Sequence, residues 1–127
     1  MREIIFRGKN KNGGWVKGFY TKSPSGVVRI SPTTMQAPKD VDPNTVGQYT
    51  GLADMHGVKI WEGDIVQYYG GGWDEEDGPG VIEWDQGTAR FTIVNNGLTV
   101  DFDNCDGNEV KVIGNIYDNP ELLEVEE

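Results

Sequence analysis

The strand-like runs of this chain are all short, and nearly every one ends at a turn built from glycine, asparagine or proline. EIIFRG (3–8) and WVKGFYT (15–21) flank NKNGG, where Asn12-Gly13 offers the positive-φ corner that a tight hairpin needs. Val27–Ile30 follows a Pro24-Ser25-Gly26 turn. Later come QYTGL, VKIWEGDIVQYY, VIEWD (81–85), ARFTIV (89–94), LTVDF (98–102) and EVKVIGNIY (109–117), with NNG and DGN marking two more hairpins. Glycine stands at 18 of 127 positions, and four Trp, five Tyr and four Phe are spread between them. Aromatic and β-branched runs punctuated this way predict a mainly β fold and leave no room for long helices.

The expected organisation is one compact unit in two parts. Residues 1–45 form an N-terminal β-hairpin subdomain that ends in an irregular connection, because prolines 32, 38 and 43 remove ladder donors from 31–45. Residues 46–127 form a small SH3-like β-barrel of five short strands. The closing DNPELLEVEE predicts a short C-terminal helix, with Asn119 as its cap, Pro120 at its first position, and Leu122 and Leu123 pinning it to the barrel.

Charge narrows the function classes. The formal net charge is −10, which opposes non-specific nucleic-acid binding, since that affinity comes from Lys and Arg neutralising phosphates. The distribution is uneven: Arg2, Arg7, Lys9, Lys11, Lys17, Lys22 and Arg29 sit in the first third, and the acids gather after Asp54. Cys105 is the lone cysteine, so it predicts neither an intrachain disulfide nor a cysteine-based zinc site and fits a reducing compartment. The MREIIFRGKN start lacks a signal-like apolar core, and no run approaches the roughly 20 apolar residues of a spanning helix. A soluble cytoplasmic protein is the expectation.

Several clusters invite a chemical reading. His56, the only histidine, lies in Asp54-Met55-His56-Gly57 with Glu62 and Asp64 downstream. Two ligands two residues apart in a turn match no metal spacing, and Gly57 reads as the positive-φ residue of a short loop. Glu62 and Asp64, as i and i+2 of a strand, would face one side; a bend at Gly63 with both acids in water is the favoured arrangement. In the 73–79 stretch, Asp74 to Asp77 are consecutive, whereas calcium loops alternate their ligands. DFDNCDGNE (101–109) fails the same test, because alignment on Gly107 puts Phe102 and Ile113 where carboxylates are required. GGGW lacks the Lys-Ser/Thr of a phosphate loop. No catalytic residue, metal or cofactor is therefore expected.

Three blocks do carry a resemblance. MREIIFRG, VDPNTVGQYTGLADMHGVKIWEGDIV (41–66) and VIGNIYDNPELLE (112–124) together resemble the YopX family of phage and prophage proteins. The resemblance implies a phage or prophage product of mostly β fold acting in the bacterial cytoplasm, and it brings no active site with it.

The expected function is that of a non-enzymatic accessory protein acting through protein contacts: self-association, and an unidentified host or phage partner. Trp15, Trp61, Trp73 and Trp84 are the candidate interface residues. The alternative is a nucleic-acid-binding or DNA-mimicking modulator of host machinery, with Arg2, Arg7, Lys9 and Lys11 as the basic strip beside Trp15. A metal-dependent hydrolase using His56, Asp54, Glu62 and Asp64 is the third reading. No membrane association is expected.

Overall fold

A computed structural model of the chain describes residues 4–32, 37–69, 78–95, 99–101 and 109–123. Trp73, most of the acidic 73–79 stretch, Cys105 and Arg2 lie outside these residues. The chain divides into two compact units, 1–51 and 52–127.

β1 (Phe6–Lys9), β2 (Trp15–Lys22), β3 (Val28–Ser31), β4 (Lys39–Asp40), β5 (Gly47–Ala53) and β6 (Lys59–Trp61) form an antiparallel sheet of order β4-β3-β2-β1-β5-β6, most of it in the N-terminal unit. Asn10 closes the β1–β2 turn as expected, its Oδ1 accepting from the N–H groups of Asn12 and Gly14 at 2.9 and 3.0 Å, with Gly13 at φ +82°. Strand alternation puts Val16, Val28 and Ile30 on one face, where Val41 closes a small aliphatic core flanked by Phe6 and Val46. The described part of the proline-rich connection is not wholly irregular. It contributes β4 and a 3-10 turn at Pro43–Thr45, with Asp42 Oδ1 accepting from Asn44 N–H at 3.0 Å.

Gly18 shows how tightly this sheet is drawn. A Cβ there would sit 2.0 Å from the carbonyl oxygen of Ser31, so the β2 and β3 backbones come together only because no side chain stands between them.

β5 runs across the boundary at Gly51, and its last residues lead through the Asp54–Val58 turn into β6 (Lys59–Trp61). The C-terminal unit adds β7 (Asp64–Tyr68), β8 (Gly80–Asp85), β9 (Arg90–Val94), β10 (Thr99–Asp101) and β11 (Val110–Asn115), in an antiparallel sheet of order β10-β9-β8-β7-β11. Its core gathers Ile60, Val66, Tyr68, Ile82, Phe91, Ile93 and Val110. Five of these, Ile60, Val66, Ile82, Ile93 and Val110, are fully buried along with Ile65, each such side chain contributing about 1.5–3 kcal/mol.

Two expectations are corrected here. The sheets are open: β10 and β11 are the edges of the second, and no barrel closes among the described residues. Closure would require the two edge strands to pair, but part of the outer edge of β11 is occupied by the 54–55 turn, through Met55 N–H to Val110 C=O at 3.0 Å. The C-terminal helix is a single 3-10 turn, Pro120–Leu123, with Leu122 and Leu123 both more than a third exposed. The Asn119 side chain does not cap it; its Oδ1 accepts from Asn115 N–H at 3.3 Å.

Candidate functional site

The Asp54-Met55-His56-Gly57 turn is held by one side chain that bonds both within the turn and beyond it. Asp54 Oδ1 accepts from the N–H groups of His56 and Val58 at 2.8 and 2.9 Å, and Oδ2 accepts from Val112 N–H at 2.9 Å. One buried carboxylate thus ties the turn to itself and to β11, 58 residues away. Burial pushes the Asp54 pKa up, but the three N–H groups outweigh it, aided by His56, and hold the carboxyl below its usual value of 3.8. A carboxylate kept ionised by backbone donors on both oxygens is a poor proton shuttle and has little lone-pair capacity left for a metal. His56 itself is exposed.

Glu62 and Asp64 part ways. Gly63, at φ +88°, turns the chain between them. Asp64 is 2 % exposed, and its Oδ2 accepts from Trp61 N–H at 2.8 Å, so it points inward where water was expected. Glu62 stays half-buried in the turn. Among the described residues no group of three or more His, Cys, Asp or Glu is placed to hold a metal ion.

The three described tryptophans take different positions. Trp61 is 2 % exposed and belongs to the interior. Trp15 is half-buried, with the Arg7 guanidinium 4.3 Å and the Lys9 ammonium 4.8 Å from its ring centroid. Trp84 is 42 % exposed, and it packs edge-on against Phe91 with centroids 5.1 Å apart while its Nε1 donates to Gln86 Oε1 at 2.9 Å. Of the basic strip, Arg7 is buried, Lys9 Nζ donates to Gly13 C=O at 3.0 Å, and Lys11 is exposed. β1 and β2 do bring Arg7, Lys9 and Trp15 together, because Lys9 pairs with Trp15 and Arg7 with Lys17 on one face. The cations turn onto the indole rather than outward.

Sequence reasoning missed two surfaces. One is a groove of about 820 Å³ in the N-terminal unit, lined by Lys9, Lys11 and Lys39 with Asn10, Asp40 and Asp42. Its acids are already engaged, Asp40 by Arg29 at 2.7 Å and Asp42 by Asn44 N–H. The other is a cleft of about 220 Å³ in the C-terminal unit where Glu62, Glu83, Trp84 and Tyr117 meet. No spacing rule pairs residues 62 and 117; the turn at Gly63 does so.

The charge asymmetry coincides with the two units. Residues 1–51 carry eight Lys or Arg and three acids, a formal +5; residues 52–127 carry three and eighteen, a formal −15.

The model of the family described as "YopX protein" matches residues 6–124. The chain belongs to the YopX family. Among solved structures it is similar to protein EF1440 from Enterococcus faecalis, at 25% identity and a TM-score of 0.61, over 98% of this chain and 100% of that one. No curated protein matches the chain. Within the YopX match lie Asp54 and Asp64, whose carboxylate bonds described above go to backbone N–H groups. No helix among the described residues is long and apolar enough to cross a membrane.

Proposed function

We propose that this YopX protein is a non-enzymatic binding protein that works through protein–protein contacts in a phage or prophage setting inside the bacterial host. The observation that carries this reading is the bonding of Asp54 and Asp64. Two of the three acids a hydrolase would need, Asp54 and Asp64, accept backbone N–H groups, so the turns that hold them serve shape. Support for self-association comes from the β2–β3 hairpin, where Phe19 is 47 % and Tyr20 39 % exposed on opposite faces of one strand.

Light scattering coupled to size exclusion at micromolar concentration tests the reading. A dimer or larger species that Phe19→Asp dissociates supports it. A monomer at every concentration, together with loss of any phage or host partner from crosslinked infected cells, overturns it. A melting temperature raised by zinc or manganese would point instead to the metal-dependent reading.

A second reading has one observation in its favour. The Lys9, Lys11 and Lys39 groove lies in a unit of formal charge +5, and a phosphodiester chain is the natural occupant of such a groove. Titration with labelled single-stranded DNA at low salt decides it, with loss of binding in Lys11→Glu as the control. For the acidic unit, a DNA-mimic role requires its carboxylates on one continuous face.

An SH3-like ancestry for the second sheet is also part of the proposal. Its support is the strand order, a β7-β8-β9-β10 meander with β11 returning beside β7.

A further inference from the structure

We propose that one face of the N-terminal sheet, centred on Lys17 and Phe19, binds a single-stranded nucleic acid. This rests on the phosphodiester reading above and moves the main contact from the groove to the sheet. Register defines the face. Lys9 stands opposite Trp15, Arg7 opposite Lys17, Phe19 opposite Ser31 and Thr21 opposite Arg29, and directly opposed residues share a side. Alternation along β2 agrees: Val16 and Gly18 are buried, whereas Lys17 and Phe19 are exposed. At one end of the face the Arg7 guanidinium and the Lys9 ammonium lie 4.3 and 4.8 Å from the Trp15 centroid, so both charges are held in place.

Charge says that the occupant is an anion. Arg7, Lys9, Lys17 and Arg29 stand in these rows, and the one acid among them, Asp40 opposite Arg29, is bonded to that arginine at 2.7 Å. Like charges directly opposed across a strand pair destabilise a sheet, yet Arg7 faces Lys17 with Lys9 two residues along. A polyanion on the face would offset that repulsion. The aromatic spacing says which kind. Trp15, Lys17 and Phe19 follow one another as i, i+2 and i+4, so an indole, an ammonium and a phenyl ring succeed each other about 6.6 Å apart. Phe19 is 47 % exposed, and the strand beneath it is drawn against β3 at Gly18, where a Cβ would lie 2.0 Å from the Ser31 carbonyl oxygen. A ring on so firmly held a strand loses little freedom when a base stacks on it. Aromatics for bases and interleaved cations for phosphates are the means by which proteins hold single strands without reading sequence. A duplex, with its bases already stacked, would leave Phe19 unused, and an acidic protein would leave the alternation unused. The net charge of −10 resists any polyanion, but its acids gather in 52–127, and residues 1–51 carry +5.

The test is a fluorescence-anisotropy titration of the full chain at low salt with fluorescein-labelled oligo-dT and oligo-U of about eight nucleotides. Saturable binding of at least one strand is expected, and the tighter of the two identifies the source as DNA or RNA. Phe19→Leu keeps an apolar side chain for any self-association but removes the aromatic face, and should weaken binding about fivefold or more. Lys17→Gln should weaken it too, and lower the slope of affinity against salt by about one phosphate contact. Both positions are exposed, so the fold is not at stake. Unchanged binding in Phe19→Leu or in Lys17→Gln overturns the proposal; if Lys11→Glu then abolishes binding, the groove reading stands without it. Binding that survives Lys11→Glu and weakens in the two sheet variants removes the groove and leaves the face. No saturable binding to either strand overturns both. Duplex DNA binding as tightly as the single strands overturns the stacking role of Phe19, and poly-glutamate displacing them at equal charge overturns nucleic acid as the occupant in favour of an acidic protein.

Discussion

The two units hold themselves together by different means. The N-terminal aliphatic cluster has four buried side chains among the described residues, Val16, Val28, Ile30 and Val41, none larger than isoleucine, and Tyr49 is buried outside it. With so little apolar volume, its stability depends on backbones approaching closely: Gly8 lies against Val41, where an added Cβ would be 3.0 Å away, and Gly18 lies against the Ser31 carbonyl. The C-terminal core is larger and includes Tyr68 and Phe91, and its turns are cross-braced by buried carboxylates and an amide, Asp54, Asp64 and Asn115. Buried acids thus brace turns in the unit that carries −15, while the sheet of the unit that carries +5 depends on the backbone approach that Gly18 permits. A large negative charge is tolerated where some of its carboxylates are turned inward onto N–H groups, which leaves fewer to repel one another at the surface.

The comparison can be broken most directly at Gly18. Gly18→Ala places a methyl against the Ser31 carbonyl and should cost about 3 kcal/mol or more, enough to unfold the N-terminal sheet. Amide hydrogen exchange would show protection lost in β2 and β3; a variant with native exchange rates there contradicts the close-approach account.

Asp54→Ala is the matching test in the other unit. It leaves the N–H groups of His56, Val58 and Val112 without their acceptor, for an expected loss of about 2 kcal/mol. Acid should imitate it. The folded carboxyl titrates below its unfolded value of 3.8, so its contribution is complete above that pH and fades as pH falls through the lowered value. Denaturation measured in parallel for wild type and Asp54→Ala should therefore converge at low pH, and a constant gap between the two curves would exclude this linkage.

Salt separates the units more gently. Raising ionic strength from about 0.05 to 0.5 M screens self-repulsion among the surplus carboxylates and should strengthen exchange protection in β7 to β9 by less than about 1 kcal/mol, with a smaller change in β1 to β3. The smallest effect belongs to His56. His56→Gln should alter stability by no more than about 0.5 kcal/mol, because the turn uses its backbone N–H and leaves the ring in solvent. A loss of association or folding in that variant would reopen the histidine-centred readings.

Much of the β architecture was legible residue by residue. NKNGG named its own hairpin, and VIEWD and ARFTIV were readable as strands, which the structure pairs with Ile82 opposite Ile93. The glycine at 57 was readable as a positive-φ corner, and φ is +81°. Gly47, by contrast, lies in β5 opposite Arg7 with no positive φ, because a glycine also fits where strands crowd. The interior glycine of WVKGFYT was the available signal for the close approach at Gly18.

The candidate site was less legible for a definite reason. Whether an acid faces water or backbone depends on which N–H groups lie beside it, and for Asp54 one of those donors is 58 residues downstream. Likewise, Trp61 and Trp84 cannot be ranked by spacing; Trp61 becomes core where the chain doubles back at Gly63, and Trp84 stays exposed at the far end of β8.

What the sequence determined alone is the length and placing of most strands, since turn chemistry and side-chain alternation act within a few residues. The split of charge between the halves is also written in the chain. Tertiary structure decided which carboxylates are engaged by backbone, which indole is exposed, and that the second sheet remains open. Each of those depends on groups brought together from distant positions, and local preference carries no information about them.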